Sequence, residues 1–208
     1  DRTSAAGYAG YVTETANFGA PTPVGDMVSW FHSVYHRRPF VDPRTSTFGY
    51  SRVVSTERPG EVVGIANWSF GDPGPQGVVM YPADGETLVP TAWGAQEAPN
   101  PFPGRLTGTG LPLSVSIGDP KYAGGVLELL DESGSKVPLL PVTIRQDPNR
   151  YLEAAPDRPL ERGATYTLRY VSAGGSITHT FTTAPPDPAQ AILDEIRAAL
   201  SGDTETRN

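Results

Sequence analysis

Tyr166, Leu168 and Tyr170 alternate with smaller or polar residues, and Ile177, His179 and Phe181 repeat the pattern a few residues later. A period of two places the bulky side chains of a strand on one side of it. "ATYTLRYVSAGG" and "SITHTFTT" therefore read as strands with one buried face each, as sandwich strands have. The texture begins near Pro103 with "LPLSVSIG", "GGVLELLDESG", "KVPLLPVTI" and "RYLEAA", each bounded by turn residues. Residues 104–184 are expected to form an Ig-like β-sandwich.

Composition agrees with a turn-rich β protein: 23 glycines and 22 prolines sit among valines, leucines and aromatics spread along all 208 residues. The net charge of −7 disfavours a nucleic-acid partner, since phosphate binding needs clustered cations and Arg37–Arg38 is the one adjacent arginine pair. Absence of cysteine excludes disulfides and thiolate metal sites. No apolar run approaches the ~20 residues of a membrane span. The chain begins without methionine or a signal peptide, so it is expected to have lost a leader or to be part of a longer polypeptide.

Ahead of the sandwich, one helix is expected over residues 23–37. Thr22 can cap it, Pro23 suits its first turn and Asp26 its positive end. Val24, Met27, Val28, Phe31, Val34 and Tyr35 recur at helical spacing, and Pro39 is expected to close it. "VVGIANWSF" and "GVVMYPA" read as strands separated by the turn-rich "GDPGPQG". "APPDP" (184–188) reads as a stiff linker and "AQAILDEIRAAL" as an amphipathic helix. The expected division is 1–103, 104–184, and a linker, helix and tail over 185–208.

Trp30, His36–Arg37, Pro39–Val41, Asp42–Pro43 and Gly49–Tyr50 follow one another in an order that resembles the bacterial branch of the CAP superfamily (cysteine-rich secretory, antigen 5 and pathogenesis-related proteins). "YVTETANFG" resembles that family's Gly-Glu-Asn element with Glu14 in the glutamate position, though Thr13 and Thr15 replace its neighbours. "YPADGETLVP" and "QEAPNPFPG" follow in the family's order. The resemblance implies an α+β chain: the C-terminal part of an α-β-α CAP sandwich over 1–103, then the Ig-like sandwich. It implies a bacterial, secreted or cell-surface protein whose cleft joins His36 to Glu14. It also implies that the missing N-terminal half packs here as another segment or chain.

Two histidines four residues apart, His32 and His36, would share one face of a continuous helix, as metalloprotease ligands do. The intervening residues lack a glutamate, and no third ligand is obvious, so His32 reads as a bystander. A Glu14–His36 pair would serve proton transfer, metal capture or the fold alone. Arg37 is expected to pair with Asp42, and Trp30, Trp68 and Trp93 to lie in the core. No cofactor is implied; zinc at His36 and calcium are the metals considered, and "DESGSKVP" (131–138) reads as a hairpin turn rather than a calcium loop. The functional expectation is a non-catalytic binding or scaffold module for a protein, peptide or cell-wall glycan. A hydrolase using His36 and Glu14, and a structural subunit of a surface assembly, are the alternatives.

Overall fold

Thr22 starts the first helix as its chemistry requires: its side chain accepts from Gly25 N, with extended backbone at Thr22 and proline directly after it. Helix α1 runs from Pro23 to His32 and α2 from Val34 to Val41. The single helix expected over this span is broken at Ser33, whose backbone is extended (φ −97°, ψ 141°) and whose hydroxyl caps α2. Pro39 sits inside α2 instead of ending it. As the sixth residue of α2 it forgoes the bond its N–H would make to the Tyr35 carbonyl, and the helix ends two residues later at Val41.

The computed structural model describes residues 12–18, 22–54, 62–70, 77–94, 97–105, 108–142, 147 and 149–187. Eleven strands lie among them: β1 Val12–Phe18, β2 Thr45–Val54, β3 Val62–Phe70, β4 Val78–Tyr81, β5 Leu113–Ile117, β6 Val126–Leu130, β7 Lys136–Val137, β8 Leu139–Pro141, β9 Tyr151–Pro156, β10 Thr165–Ser172 and β11 Gly175–Thr182. They build three antiparallel sheets, ordered β1-β3-β2, β11-β10-β6-β7 and β4-β5-β9-β8. The segments 185–187 and beyond bear on the expected linker and terminal helix; that helix lies outside the described residues.

The two four-stranded sheets share one core. Leu113, Val115 and Ile117 of β5 meet Leu127 and Leu129 of β6, Leu168 and Tyr170 of β10, and Phe181 of β11. On β10 this is the alternation read from the sequence, with Tyr166, Leu168 and Tyr170 all turned inward, whereas β5 is buried at every position. The Asp131–Ser135 turn closes a hairpin as expected: Asp131 Oδ1 accepts from Ser133 N and Ser135 N, both at 2.9 Å.

The helices cover one face of the three-stranded sheet, where Trp30 packs on Ala66 and Trp68 with Met27, Phe40 and Tyr50 around them. Beneath α1, buried Asp26 accepts from the Tyr50 hydroxyl at 2.6 Å and pairs with Arg52 at 3.1 Å. Gly64 makes room for it, since a Cβ there would lie 2.2 Å from the Asp26 carboxylate.

A CAP α-β-α sandwich is not what this chain forms. Among the described residues strand accounts for 44% and helix for 14%, and the only α-helices are α1 and α2. The described part thus has no second helical layer and is a mostly β protein. Its helices are also not free-standing: Val34 joins Trp93, Phe102, Val142 and Ala155 in a small core shared with the sandwich.

Candidate functional site

The break at Ser33 creates the site. Leaving helical conformation there exposes the first N–H groups of α2, which have no partner within the helix. Glu97, 64 residues further along the chain, supplies it. Its carboxylate accepts from Ser33 Oγ at 2.5 Å, Val34 N at 2.7 Å and Tyr35 N at 2.7 Å. A carboxylate at the positive end of α2 is also favoured by the helix dipole. Ser33 Oγ contacts His36 Nδ1 at 2.7 Å and accepts from His36 N at 3.3 Å.

Proton counting orders this network. The Ser33 hydroxyl has one proton, and the short contact to an ionised carboxylate takes it. His36 must then donate from Nδ1 to Ser33 Oγ, which leaves Nε2 as the acceptor nitrogen in the neutral ring. Around this network lies a cleft of about 450 Å³, lined by Ser29, His32, Ser33, His36, Trp93 and Glu97 among others. His36 is exposed, whereas His32 is half-buried. Burial, followed by the charge of Arg37, holds the His32 imidazole below its usual pKa, so it stays neutral over the physiological range.

His32, read from the sequence as a bystander, lies in the cleft wall. Glu14 lies on β1 in register with Asn67, two residues from Ala16, which lines the cleft. Its side chain lies outside the described part of the structure. The carboxylate seen on the Ser33–His36 network is Glu97, which the sequence reading passed over. Its signal was faint: one acid in the proline-rich "QEAPNPFPG", far in sequence from the helix it caps. No group of three or more His, Asp or Glu placed to hold a metal ion occurs among the described residues.

The remaining expectations resolve by geometry. Arg37 does not pair with Asp42. It is wholly buried, donates to the Phe31 carbonyl at 2.9 Å and stacks 4.3 Å over the Tyr81 ring. Burial lowers its pKa against the opposing pull of Tyr81, Glu153 and Glu97. Asp42 instead binds Arg44, which donates from its backbone N and Nε at 2.9 Å, and Tyr151, whose hydroxyl donates at 2.5 Å. The reason is reach: Arg37 points into the core behind α2, while Arg44 follows Asp42 in a turn. Trp30, Trp68 and Trp93 are all buried. Next to Arg37, Arg38 forms a two-pronged ion pair with buried Glu153 of β9, Nε–Oε1 3.0 Å and Nη2–Oε2 2.5 Å. That pair fastens the wall of the cleft to the sandwich.

No family model and no curated protein matches this sequence. Among solved structures the chain is similar to CopC from Methylosinus trichosporium OB3b, at 18% identity and a TM-score of 0.31, over 52% of this chain and 91% of that one. A likeness at that TM-score carries no inference about function. The CAP resemblance is corrected here: no family model supports the Trp30–Tyr50 motif order, and the described fold is mostly β with a single helical layer. The expectation of a missing CAP half as partner falls with it. No helix among the described residues is long and apolar enough to cross a membrane.

Proposed function

We propose that this chain is a non-catalytic binding module of the cell surface or extracellular space, with the His32–His36–Trp93 cleft as its recognition site. The observation that carries this reading is the commitment of the Ser33–Glu97 network. The serine proton goes to a carboxylate that two backbone N–H groups already hold, and His36 donates toward the serine instead of accepting from it. A nucleophile needs a base aimed at its proton, and here that proton and that base serve the helix cap. Two imidazoles and the indole edge remain for hydrogen bonding and stacking, which suits a peptide or a cell-envelope glycan. In this reading the helices with Trp93 and Glu97 present the site, and the two four-stranded sheets, β4 included, act as rigid support.

Titration with soluble peptidoglycan fragments and with unstructured peptides, followed by the histidine and indole NMR signals, tests it. Selective shifts at His32, His36 and Trp93, lost in His36→Ala and without ligand turnover, are expected. Turnover abolished by Ser33→Ala or His36→Ala would establish the hydrolase reading in its place.

A further inference from the structure

Sheet edges in this protein are treated unequally. β11 ends its sheet, yet residues 84–89 close its backbone: Thr180 N donates to Asp84 Oδ1 at 2.8 Å, Gly85 N to Thr180 O at 2.7 Å, Thr182 N to Glu86 O at 2.9 Å and Val89 N to Thr182 O at 3.1 Å. At the other end, β7 has two residues; in the second sheet β8 has three, ending in proline, and β4 has four. Short edges, prolines and covering segments are the usual protections against strand addition.

Among the described residues β2 has none of these three, its one irregularity being a register shift between Thr45 and Thr47 at its start. It is ten residues long, ends the β1-β3-β2 sheet and contains no proline and no lysine. Its one charged side chain, Arg52, is drawn onto buried Asp26. Phe48, Val53 and Val54 are 46%, 48% and 67% exposed, although the Phe48 ring also packs against Phe40 and Trp68.

We infer that β2 pairs antiparallel with β2 of a second copy of this chain about a two-fold axis, joining two three-stranded sheets into one of six. Self-complementarity names the occupant. By alternation Phe48, Tyr50, Arg52 and Val54 share one face of the strand. An axis through Ser51 sets Phe48 opposite Val54 of the second copy and Tyr50 opposite Arg52, matching apolar with apolar and ring with cation. The same axis sets Gly49 opposite Val53, a bulky residue where its partner has no side chain. β2 carries no carboxylate, so the pairing brings no negative charges together despite the net −7 of the chain. An isologous contact of this kind stops at a dimer.

The test uses the full chain in sedimentation velocity across a wide concentration range, together with a cross-linking variant. The natural chain has no cysteine, so Ser51→Cys introduces a single thiol. Residues opposed in an antiparallel pair have Cα atoms about 4.5–5.5 Å apart, within disulfide reach. Expected are a concentration-dependent dimer, a Ser51→Cys dimer on mild oxidation with none from Ser133→Cys on the distant hairpin turn, and at least about tenfold weaker dimerisation in Val54→Lys, about 1.4 kcal/mol, with unchanged circular dichroism. A monomer at every concentration, a dimer that Ser51→Cys does not trap, growth beyond the dimer, or a β2 edge taken by a different protein would each overturn the inference.

Discussion

Replacing Glu97 by alanine tests the cap that organises the cleft. The substitution removes an acceptor of three hydrogen bonds, two of them from the first backbone N–H groups of α2. Hydrogen bonds to a charged group contribute about 1.5–3 kcal/mol each when buried. These are partly exposed, and water can replace some of them, while Ser33 still caps His36 N. A capping residue is worth about 1 kcal/mol and a charge near the helix dipole up to about 2 kcal/mol in a partly buried setting. Together these place the loss at about 2–4 kcal/mol. Glu97→Gln keeps one oxygen acceptor and loses the charge, so about 1–2 kcal/mol is expected from the same terms. Urea unfolding followed by tryptophan fluorescence reads both, because Trp30 and Trp93 line the cleft beside Glu97. In Glu97→Ala the Ser33 proton is also released, and the histidine NMR signal of His36 should change its tautomer pattern. An alanine variant within about 0.5 kcal/mol of the natural chain, the ordinary range of surface substitutions, with the His36 signal unaltered, would refute the account of the network.

Four further outcomes follow from the same geometry. Arg38→Ala leaves Glu153, 1% exposed, without its two-pronged partner; a loss of about 3–5 kcal/mol is expected in urea titration, with Arg38→Met/Glu153→Leu losing less than the single variant. For Asp42, burial pushes the carboxyl up, but donors from Arg44 and Tyr151 outweigh it and hold the pKa below the usual value; that stability is present above the unfolded pKa and is lost as pH falls through the folded one, and Tyr151→Phe should shrink the acid-side slope. Tyr151 and Tyr50 are both pushed up to about 12, first by burial and then by Asp42 and Asp26 respectively; burial also raises Tyr81 and Tyr170, so an ultraviolet phenolate titration should show these four ionising later than ordinary tyrosines, with stability lost as pH rises from about 10 toward 12. The His32 imidazole, lowered by burial and Arg37, should titrate by NMR below the ordinary value of 6.5, so its share of stability is present above pH ~6.5 and lost in acid.

Local chemistry carried the parts of the fold that the sequence declared. The Thr22 cap, the strands around Trp68 and Met80, and the Tyr166 and Ile177 alternations depend on residues within a few positions of one another, and the structure places elements there. The break at Ser33 was equally local but masked, because the apolar period runs through it: Phe31 and Val34 keep helical spacing across a residue that is itself extended. β1 was missed because "VTETANF" has short polar side chains and gains its identity from pairing with β3. The site failed for a different reason. Glu97 and Ser33, or Arg38 and Glu153, meet only after the chain has folded, and nothing near Glu97 announces a helix end. The motif order that suggested CAP was a pattern of spacing, and spacing alone did not fix how the layers stack.

The segment that closes the β11 edge has a second consequence at its far end. Val89 is pinned between the Thr182 carbonyl and the Ala184 N–H, and Trp93 N binds the Thr109 carbonyl. Val89 and Trp93 are thus both tied to the sandwich, one at the β11 edge and one beside Thr109. Surface connections ordinarily absorb an inserted or deleted residue. Here only three residues lie between the two bonded positions, so the stretch joining them should accept a changed side chain more readily than a changed length.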